Sequence, residues 1–213
     1  MEVAIAGGHG KIALMLGGLL VERGNAVFGL IRDPAQEGDL HAVGVEPVIC
    51  DIEGDDDVTE AVSGAEAVVF AAGAGPGSGA ERKWTVDYGG AVKLIDAAKA
   101  EGIDRYVMVS AMGATEPPPE GGEAFGEYLR AKAKADSALL ASGLAYTIVR
   151  PGGLTDDPPS GRVQIGERLE RGEIPRADVA EVLAAVLGAD NAIGKTFDLI
   201  AGEVPVLQAV SAL

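Results

Sequence analysis

Residues 3–13 read Val-Ala-Ile-Ala-Gly-Gly-His-Gly-Lys-Ile-Ala, and this stretch decides the fold. A short apolar run, Val3–Ala6, leads directly into the pattern Gly7-x-x-Gly10-x-x-Ala13. The first glycine permits a tight strand-to-helix turn, the second lets backbone N–H groups approach a pyrophosphate, and the small third residue lets the helix pack closely on the strand. The helix N-terminus then faces the phosphates with its partial positive charge. The stretch therefore predicts a strand, a dinucleotide phosphate loop and a helix.

Short apolar runs alternate with longer helical stretches along the chain. The predicted strands are Val3–Ala6, Ala26–Ile31, Pro47–Ile49, Ala67–Ala71, Arg105–Val109 and Ala145–Val149, and the predicted helices are Lys11–Arg23, Asp55–Val62, Glu81–Glu101, Glu127–Ser142 and Ala177–Leu187. Because the strands are almost continuously apolar, we expect a sheet that is buried on both faces. Because helices separate the strands, we expect parallel pairing through right-handed crossovers. The predicted fold class is α/β, a doubly wound parallel sheet of the Rossmann type.

The domain organisation follows from the absence of any internal repeat or flexible linker. We predict one domain, residues 1–213, with a dinucleotide-binding core at 1–150 and a small substrate-side cap with a closing strand at 151–213. After Pro151 the pattern loosens into a loop-rich stretch, 152–174, which is followed by a helix and a strand at Thr196–Ile200. Gly24, Gly102 and Gly143 each follow a predicted helix, where a left-handed glycine commonly ends it.

Composition excludes several classes of partner. Lys and Arg total 17 against 33 Asp and Glu, so the net charge is −16 and phosphate backbones or anionic membrane surfaces would repel the chain. One cysteine and two histidines offer few soft metal ligands, and we expect no metal site. Since no signal sequence or membrane span is evident, we expect a cytoplasmic, soluble protein, a monomer or homodimer, that acts on a small molecule.

The second and third strands indicate which dinucleotide binds. NAD-specific folds place a carboxylate after the second strand, whereas an arginine there accommodates the 2′-phosphate of NADP. Here Arg32 and Asp33 follow the second strand, so NADPH is favoured over NADH. The alternative is that Arg32 is a solvated surface residue and Asp33 a helix cap before Pro34. The other expected cofactor contacts in these regions are Gly7, Gly8, His9, Gly10, Lys11 and Ile12 in the loop, and Asp51 and Ile52 after the third strand.

Further motifs make the chain resemble a known superfamily. It resembles the short-chain dehydrogenases/reductases, and within them the atypical branch of small NAD(P)-binding proteins related to the NmrA-like and biliverdin-reductase-B-like families. The landmarks, in the family's order, are Gly7-x-x-Gly10-x-x-Ala13, Arg32-Asp33-Pro34, Asp51-Ile52, Val69-Phe70-Ala71-Ala72-Gly73, Val86-Asp87-Tyr88, Val109-Ser110, Tyr128-x-x-x-Lys132, Arg150-Pro151-Gly152 and Arg176-Ala177-Asp178-Val179-Ala180.

The resemblance implies roles for cofactor-binding residues. Ala71, Ala72 and Gly73 would pass beneath the adenosine ribose, while Lys132 would bond the nicotinamide ribose. The segment after the sixth strand would line the nicotinamide side, and it comprises Pro151, Gly152, Gly153 and Leu154.

The resemblance also implies a catalytic group. Ser110 would bind a substrate oxygen, and Tyr128 with Lys132 would match the superfamily's Tyr-x-x-x-Lys. Residues four apart share one helical face, and a nearby ammonium lowers the pKa of a phenol, which can then exchange a proton with a carbonyl oxygen. Asp87 stands where catalytic members usually carry an Asn that holds a relay water. It serves either that relay or simply the local backbone.

These residues favour an NADP(H)-binding oxidoreductase that transfers hydride between the nicotinamide and a small carbonyl, quinone or similar acceptor. One alternative is a non-catalytic, NmrA-like dinucleotide sensor, which would lack the Tyr and Lys that this chain has. Another is an epimerase or dehydratase, although the sixty or so residues after Pro151 leave little room for the large substrate domain of those enzymes. We expect specificity to lie in residues 74–84, 111–126 and 155–174.

Overall fold

The computed structural model describes residues 1–75, 77–117 and 124–213. Pro76 and residues 118–123, which belong to two of the expected specificity segments, lie outside the described residues. Within the described ranges, no helix combines the length and the apolar character that are needed to cross a bilayer.

The strands form a nine-stranded sheet and a separate two-stranded one. The strands are β1 (Glu2–Ala6), β2 (Ala26–Ile31), β3 (Glu46–Ile49), β4 (Ala67–Phe70), β5 (Arg105–Val109), β6 (Ala145–Pro151), β7 (Gly153–Thr155), β8 (Arg162–Gly166), β9 (Glu173–Pro175), β10 (Lys195–Ala201) and β11 (Val204–Pro205). The large sheet has the order β11-β8-β10-β6-β5-β4-β1-β2-β3 and is parallel from β10 to β3, while β7 pairs with β9. The predicted doubly wound fold is confirmed.

Helices cover both faces of the large sheet. They are α1 (Lys11–Glu22), α2 (Glu37–Ala42), α3 (Val58–Ala61), α4 (Ala80–Arg82), α5 (Ala91–Glu101), α6 (Ala124–Leu140), α7 (Arg176–Leu187) and α8 (Val206–Ser211). Between α4 and α5 the chain is π-helical over Lys83–Gly90. Such segments are rare and often mark functional sites. This one contains Asp87.

Two hydrophobic cores lie on opposite faces of the sheet. In β1, Val3 and Ile5 belong to the core that includes α1 and α7, whereas Ala4 and Ala6 belong to the core that includes α5 and α6. Alternate side chains of a strand point to opposite faces, so a strand that is buried on both faces must be apolar throughout. This is why β1 reads as an unbroken apolar run.

The edge beyond β10 differs from the prediction. The stretch 152–174 contains β7, β8 and β9, and β8 pairs with β10 in antiparallel fashion. Strand β8 alternates exposed Arg162 and Gln164 around the buried Val163, which is the pattern of a strand with one solvated face. The predicted helix at 55–62 shrinks to α3, because the Asp57 side chain accepts N–H bonds from Thr59 at 2.9 Å and caps the helix there.

Candidate functional site

Two cavities open at the carboxyl ends of the parallel strands, beside the point where the strand order reverses between β1 and β4. Ligands of doubly wound sheets bind at this switch point. The smaller cavity is about 310 Å³ and lies over the ends of β1 to β4; the larger is about 1280 Å³ and extends past β5 and β6. Both are lined by residues Ala71, Ala72, Gly73 and Ala74. A ligand made of two joined halves fits this shape.

The phosphate loop lies at the inner wall of the smaller cavity. Gly7 has a φ of +80°, and a β-carbon there would lie 2.6 Å from Ala72 Cα. A β-carbon at Gly8 would lie 2.8 Å from Gly29 Cα, so Gly8 is needed for packing against β2 and lines neither cavity. Gly10 precedes α1 without a side-chain cap. The first N–H groups of that helix are therefore available to an anion.

The loop's polar side chains bind acids on other segments. His9 lines the smaller cavity, and its Nε2 lies 2.7 Å from Asp39 Oδ2. Lys11 Nζ donates to Asp156 Oδ2 at 2.6 Å and lines neither cavity. Ile12, by contrast, contributes to the wall of the larger cavity.

The residues after β2 separate into two roles. Arg32 lines the smaller cavity with 54% of its side chain exposed, and its Nη1 lies 3.7 Å from Glu53 Oε2. The Asp33 carboxylate accepts the Ala35 N–H at 3.0 Å and lines neither cavity. Arg32 is thus placed to meet a ligand, while Asp33 takes the capping position that was the alternative reading.

Glu53 is a site residue that sequence reasoning missed. Its carboxylate accepts two bonds from Arg82, with Nη2 at 2.7 Å and Nε at 3.2 Å, and a bond from Thr85 Oγ1 at 2.6 Å. The Arg82 hydrogen bonds hold the pKa of Glu53 below its usual range. Both Glu53 and Arg82 line the smaller cavity beside Arg32. The sequence could have indicated Glu53 only through its position directly after Asp51-Ile52. Its contact with Arg82 depends on a helix far along the chain.

The residues that follow β3 form a hydrogen-bonded wall of the smaller cavity. Asp51 Oδ1 accepts the Glu53 N–H at 2.9 Å, and the Asp51 N–H donates to Asp56 Oδ2 at 2.7 Å. Ile52 and Cys50 line the cavity beside them. Burial, reinforced by Asp56 and Asp51, raises the pKa of the Cys50 thiol to about 11. Cys50 is therefore a small buried hydrophobe rather than a nucleophile, since thiols react as thiolates.

Lys132 and Asp87 form a buried ion pair beneath the larger cavity. Their side chains are 3% and 0% exposed, and Lys132 Nζ lies 3.3 Å from Asp87 Oδ1. The same ammonium donates to Val109 O at 3.1 Å and Ala72 O at 3.4 Å. Since an ammonium has three donors, a bond from Lys132 to a ribose would replace one of these contacts. Asp87 Oδ2 also accepts the Ala74 N–H at 3.2 Å, so Asp87 serves both the loop backbone and Lys132.

Tyr128 lies close to two ammonium groups. The centre of its ring is 5.9 Å from Lys132 Nζ and 5.6 Å from Lys83 Nζ, and the residue lines the larger cavity. Burial raises the pKa of Tyr128; Lys132 opposes this increase, and Asp87 adds to it. The expectation that Lys132 lowers this pKa is therefore wrong for the net effect, because the desolvation of the phenol outweighs the attraction of one ammonium. The phenol remains protonated at neutral pH.

Ser110 lies at the end of β5 in the same cavity. Its hydroxyl is buried and has no well-formed hydrogen bond within the described residues, although it is close enough to Asp136 to lower the pKa of that carboxyl. Asp136 Oδ2 accepts from Arg150 Nε at 2.9 Å, and Arg150 Nη1 donates to Thr115 Oγ1 at 2.5 Å. A buried hydroxyl that is left underused beside a cavity suits a ligand oxygen.

The segment after β6 forms the far wall of the larger cavity. Pro151, Gly152, Gly153 and Leu154 all line it. The Gly152 N–H donates to Leu199 O at 2.9 Å and the Gly153 N–H to Gly172 O at 2.8 Å. A β-carbon at Gly152 would lie 2.3 Å from Gly172 O, so only glycine allows this close approach. The structure thus assembles the predicted site residues around the two cavities, except Gly8, Lys11 and Asp33.

The fold and the site define a dinucleotide-binding protein of the Rossmann class. A family model described as NAD(P)H-binding matches residues 7–190, and the chain belongs to this family of NAD(P)H-binding, oxidoreductase- and epimerase-like proteins. The match is consistent with the resemblance to the atypical short-chain dehydrogenases/reductases.

Relatives of similar length are named either as epimerases or as reductases. A Bacillus subtilis protein named as an uncharacterized sugar epimerase, YhfK, is 38% identical, and the match covers 100% of both chains. A solved structure from Bacillus halodurans, provisionally described as an NAD-dependent epimerase/dehydratase, is 36% identical, covers 100% of both chains and gives a TM-score of 0.94. The anaerobilin reductase ChuY from Escherichia coli is 26% identical, covers 96% of this chain and 98% of its own, and gives a TM-score of 0.80.

Proposed function

We propose that the protein is an NADPH-dependent reductase of a small carbonyl, quinone or similar acceptor. The observation that carries this proposal is the convergence of Ser110, Tyr128 and the Lys132–Asp87 pair on one cavity. That cavity shares its floor, residues 71–74, with the smaller cavity beside the phosphate loop. A protein that only senses the dinucleotide has no need of a phenol and a hydroxyl above it.

The choice of NADPH rests on the smaller cavity. Arg32 would bind a 2′-phosphate through charge-assisted bonds, and Arg82 stands beside it. Both guanidinium groups share the single carboxylate of Glu53, whose side chain is 24% exposed. A dianionic phosphate would compete with this single carboxylate for Arg32. A ribose hydroxyl would not, so we expect NADPH to bind more tightly than NADH.

The chemistry divides between the cofactor and the chain. Bound NADPH supplies a hydride to the acceptor. Ser110 would hold the acceptor oxygen by donating its hydroxyl proton into a hydrogen bond, and Tyr128 would transfer its phenolic proton to the same oxygen. The raised pKa of Tyr128 keeps that proton in place at neutral pH. Lys132 would then stabilise the phenolate by charge, with Asp87 fixing the position of the ammonium.

An epimerase is the second candidate, because two full-length relatives are named for that activity. The segment 151–213 contributes β8 and β10 to the sheet and α7 to its core. Little of it remains to form a separate substrate domain. An epimerase would retain its dinucleotide and convert a nucleotide sugar with no net change in NADPH absorbance, which separates the two candidates.

The Tyr128→Phe variant tests the proposed mechanism. NADPH affinity should stay nearly unchanged, and turnover should fall by about 10²–10⁴-fold, the usual range for the loss of a general acid. The assay follows NADPH absorbance against a panel of quinones, flavins, aldehydes and ketones. Tight NADPH binding without reduction of any compound in the panel would favour a non-catalytic dinucleotide sensor. A variant that reduces a substrate as fast as the wild type would refute the role of Tyr128.

A further inference from the structure

Lys83 is a buried cation that the proposed mechanism does not use. It is the first residue of the π-helical segment, is 9% exposed, and lines the larger cavity. Its Nζ donates to Gly75 O at 2.8 Å and lies 5.6 Å from the centre of the Tyr128 ring. The ammonium and the Tyr128 ring therefore lie close together in the lining of one cavity.

The charge of Lys83 has no acidic partner in the described parts of the chain. No carboxylate oxygen there lies within 4.0 Å of its Nζ, whereas Asp87 lies 3.3 Å from Lys132 Nζ. Of its three N–H donors, one is used by Gly75 O and none by a charged acceptor. Burying an unpaired charge is costly, and such charges are normally matched by a counter-ion. The cavity offers the space in which an anionic ligand would supply it.

The other cations of the larger cavity differ from Lys83. Arg168 is bound by Glu116, and Arg176 Nη1 lies 2.7 Å from Asp156 Oδ1. Arg171 has no ion-pair partner among the described residues, but unlike Lys83 it is exposed to solvent. The apolar residues of the lining include Met112, Ala124, Phe125, Leu154 and Leu169. The lining thus combines apolar side chains with two buried cations: Lys132, which Asp87 pairs, and Lys83, which has no carboxylate partner among the described residues.

We propose that the substrate is a carboxylate-bearing acceptor with an apolar or aromatic body, and that Lys83 binds its carboxylate. This inference rests on the proposed function of the same cavity. A carboxylate fits better than a phosphate, because one ammonium satisfies a single negative charge while phosphate sites gather several donors. The chain carries a net charge of −16, so an anion gains affinity here only from a specific cation.

The test measures binding rather than turnover. Naphthoate and its uncharged counterpart naphthamide are titrated by calorimetry into the protein saturated with NADP⁺. We expect the carboxylate to bind roughly ten- to a hundredfold more tightly, the range of a hydrogen bond between charged groups. Lys83→Met should abolish this difference, and Lys83→Arg should retain most of it. Lys99→Met, which removes an exposed lysine at the end of α5, serves as the control and should behave as wild type.

The outcomes separate this inference from the proposed function. Equal affinities of naphthoate and naphthamide in the wild type, no detectable naphthoate binding, or an unchanged preference in Lys83→Met would each overturn the role of Lys83. A loss of NADP⁺ affinity in Lys83→Met would also overturn it, because Lys83 would then serve the cofactor. Reduction of para-carboxybenzaldehyde and its methyl ester by NADPH tests the reductase itself. Charge-selective binding without turnover would support the anion site and count against the reductase.

Discussion

At Lys132 and Asp87 two full charges lie side by side under the larger cavity, and each is almost completely buried. Removing one partner of such a pair leaves the other charge uncompensated and typically costs about 3–5 kcal/mol. Lys132→Met should therefore destabilise the protein as well as impair catalysis. Tyr128→Phe removes one hydroxyl and leaves the pair intact, so it is the sharper test of mechanism.

Arg32 is the residue that we expect to determine the preference for NADPH over NADH. Arg32→Ala should weaken NADPH binding by roughly 1.5–3 kcal/mol, the range of hydrogen bonds to charged groups, and leave NADH nearly unaffected. Calorimetric titration of both dinucleotides measures the effect. Arg23→Ala, an exposed arginine at the end of α1 outside both cavities, is the control. Equal affinities of the wild type for NADPH and NADH would contradict the assignment.

At the scale of elements, the phosphate loop is held from two sides. Gly7 packs on the end of β4 and Gly8 on β2, where any β-carbon would collide with backbone. Gly10 is different, because a β-carbon there would meet Gly7 O at 3.1 Å and would otherwise make only ordinary contacts, with Ala71 O at 3.8 Å and Ala13 Cβ at 4.0 Å. The first two glycines are therefore required by the fold, whereas we propose that Gly10 is required by the ligand that binds in front of α1.

Substitution at Gly10 should separate folding from binding. In Gly10→Val the branched side chain would occupy the space in front of the first N–H groups of α1, so we expect dinucleotide binding to be lost with the circular dichroism spectrum preserved. Gly18→Ala is the control in the same helix, since its β-carbon would make only an ordinary contact of 3.6 Å with Val43. A folded Gly10→Val protein with wild-type NADPH affinity would refute the phosphate-loop assignment.

For the whole molecule, residues on both sides of position 150 pack into the same hydrophobic core. Strand β10 pairs with β6, and Val179 and Leu183 of α7 share one core with Leu16 and Leu20 of α1. Because the segment 151–213 completes this core, we propose that the chain unfolds as one cooperative unit.

Alkaline pH should destabilise the protein because several of its phenols and its thiol are buried. Tyr106 is fully buried and its pKa is raised well above 10.0 by desolvation. Above that pH the unfolded chain releases this proton while the folded chain keeps it, so the free energy of unfolding falls as pH rises, by about 1.4 kcal/mol per pH unit for one proton. Burial raises the pKa of Tyr128 and Cys50 in the same direction, the latter to about 11.

The Tyr106→Phe variant isolates that contribution. The free energy of unfolding of this variant, measured in urea, should fall less steeply between pH 10 and pH 11 than that of the wild type. The difference in slope should be at most that of one titrating proton. Tyr146→Phe removes a half-buried phenol and is the control. Parallel pH profiles for wild type and Tyr106→Phe would show that the phenol ionises equally in both states.

The sequence alone determined the sheet and its phosphate loop, because these depend on local patterns. Unbroken apolar runs such as Val3–Ala6 mark strands that are buried on both faces, and the glycines at 24, 102 and 143 all adopt the expected positive φ at helix ends. The polar edge strand β8 was missed, since one solvated face leaves too few apolar residues to identify a strand.

Only the tertiary structure decided the electrostatics of the site. Arg82 contacts Glu53 from α4, a helix that begins at Ala80, 27 residues after Glu53. No local pattern in the sequence encodes that contact. The pKa of Tyr128 is raised by the burial of the phenol and lowered by the nearby ammonium of Lys132. The Tyr-x-x-x-Lys spacing does not show which of the two effects is larger. Lys83 was likewise not singled out from the sequence, because its burial without a carboxylate partner among the described residues results from folding. Charge effects depend on distance and desolvation in three dimensions, whereas strands and turns depend on neighbours along the chain.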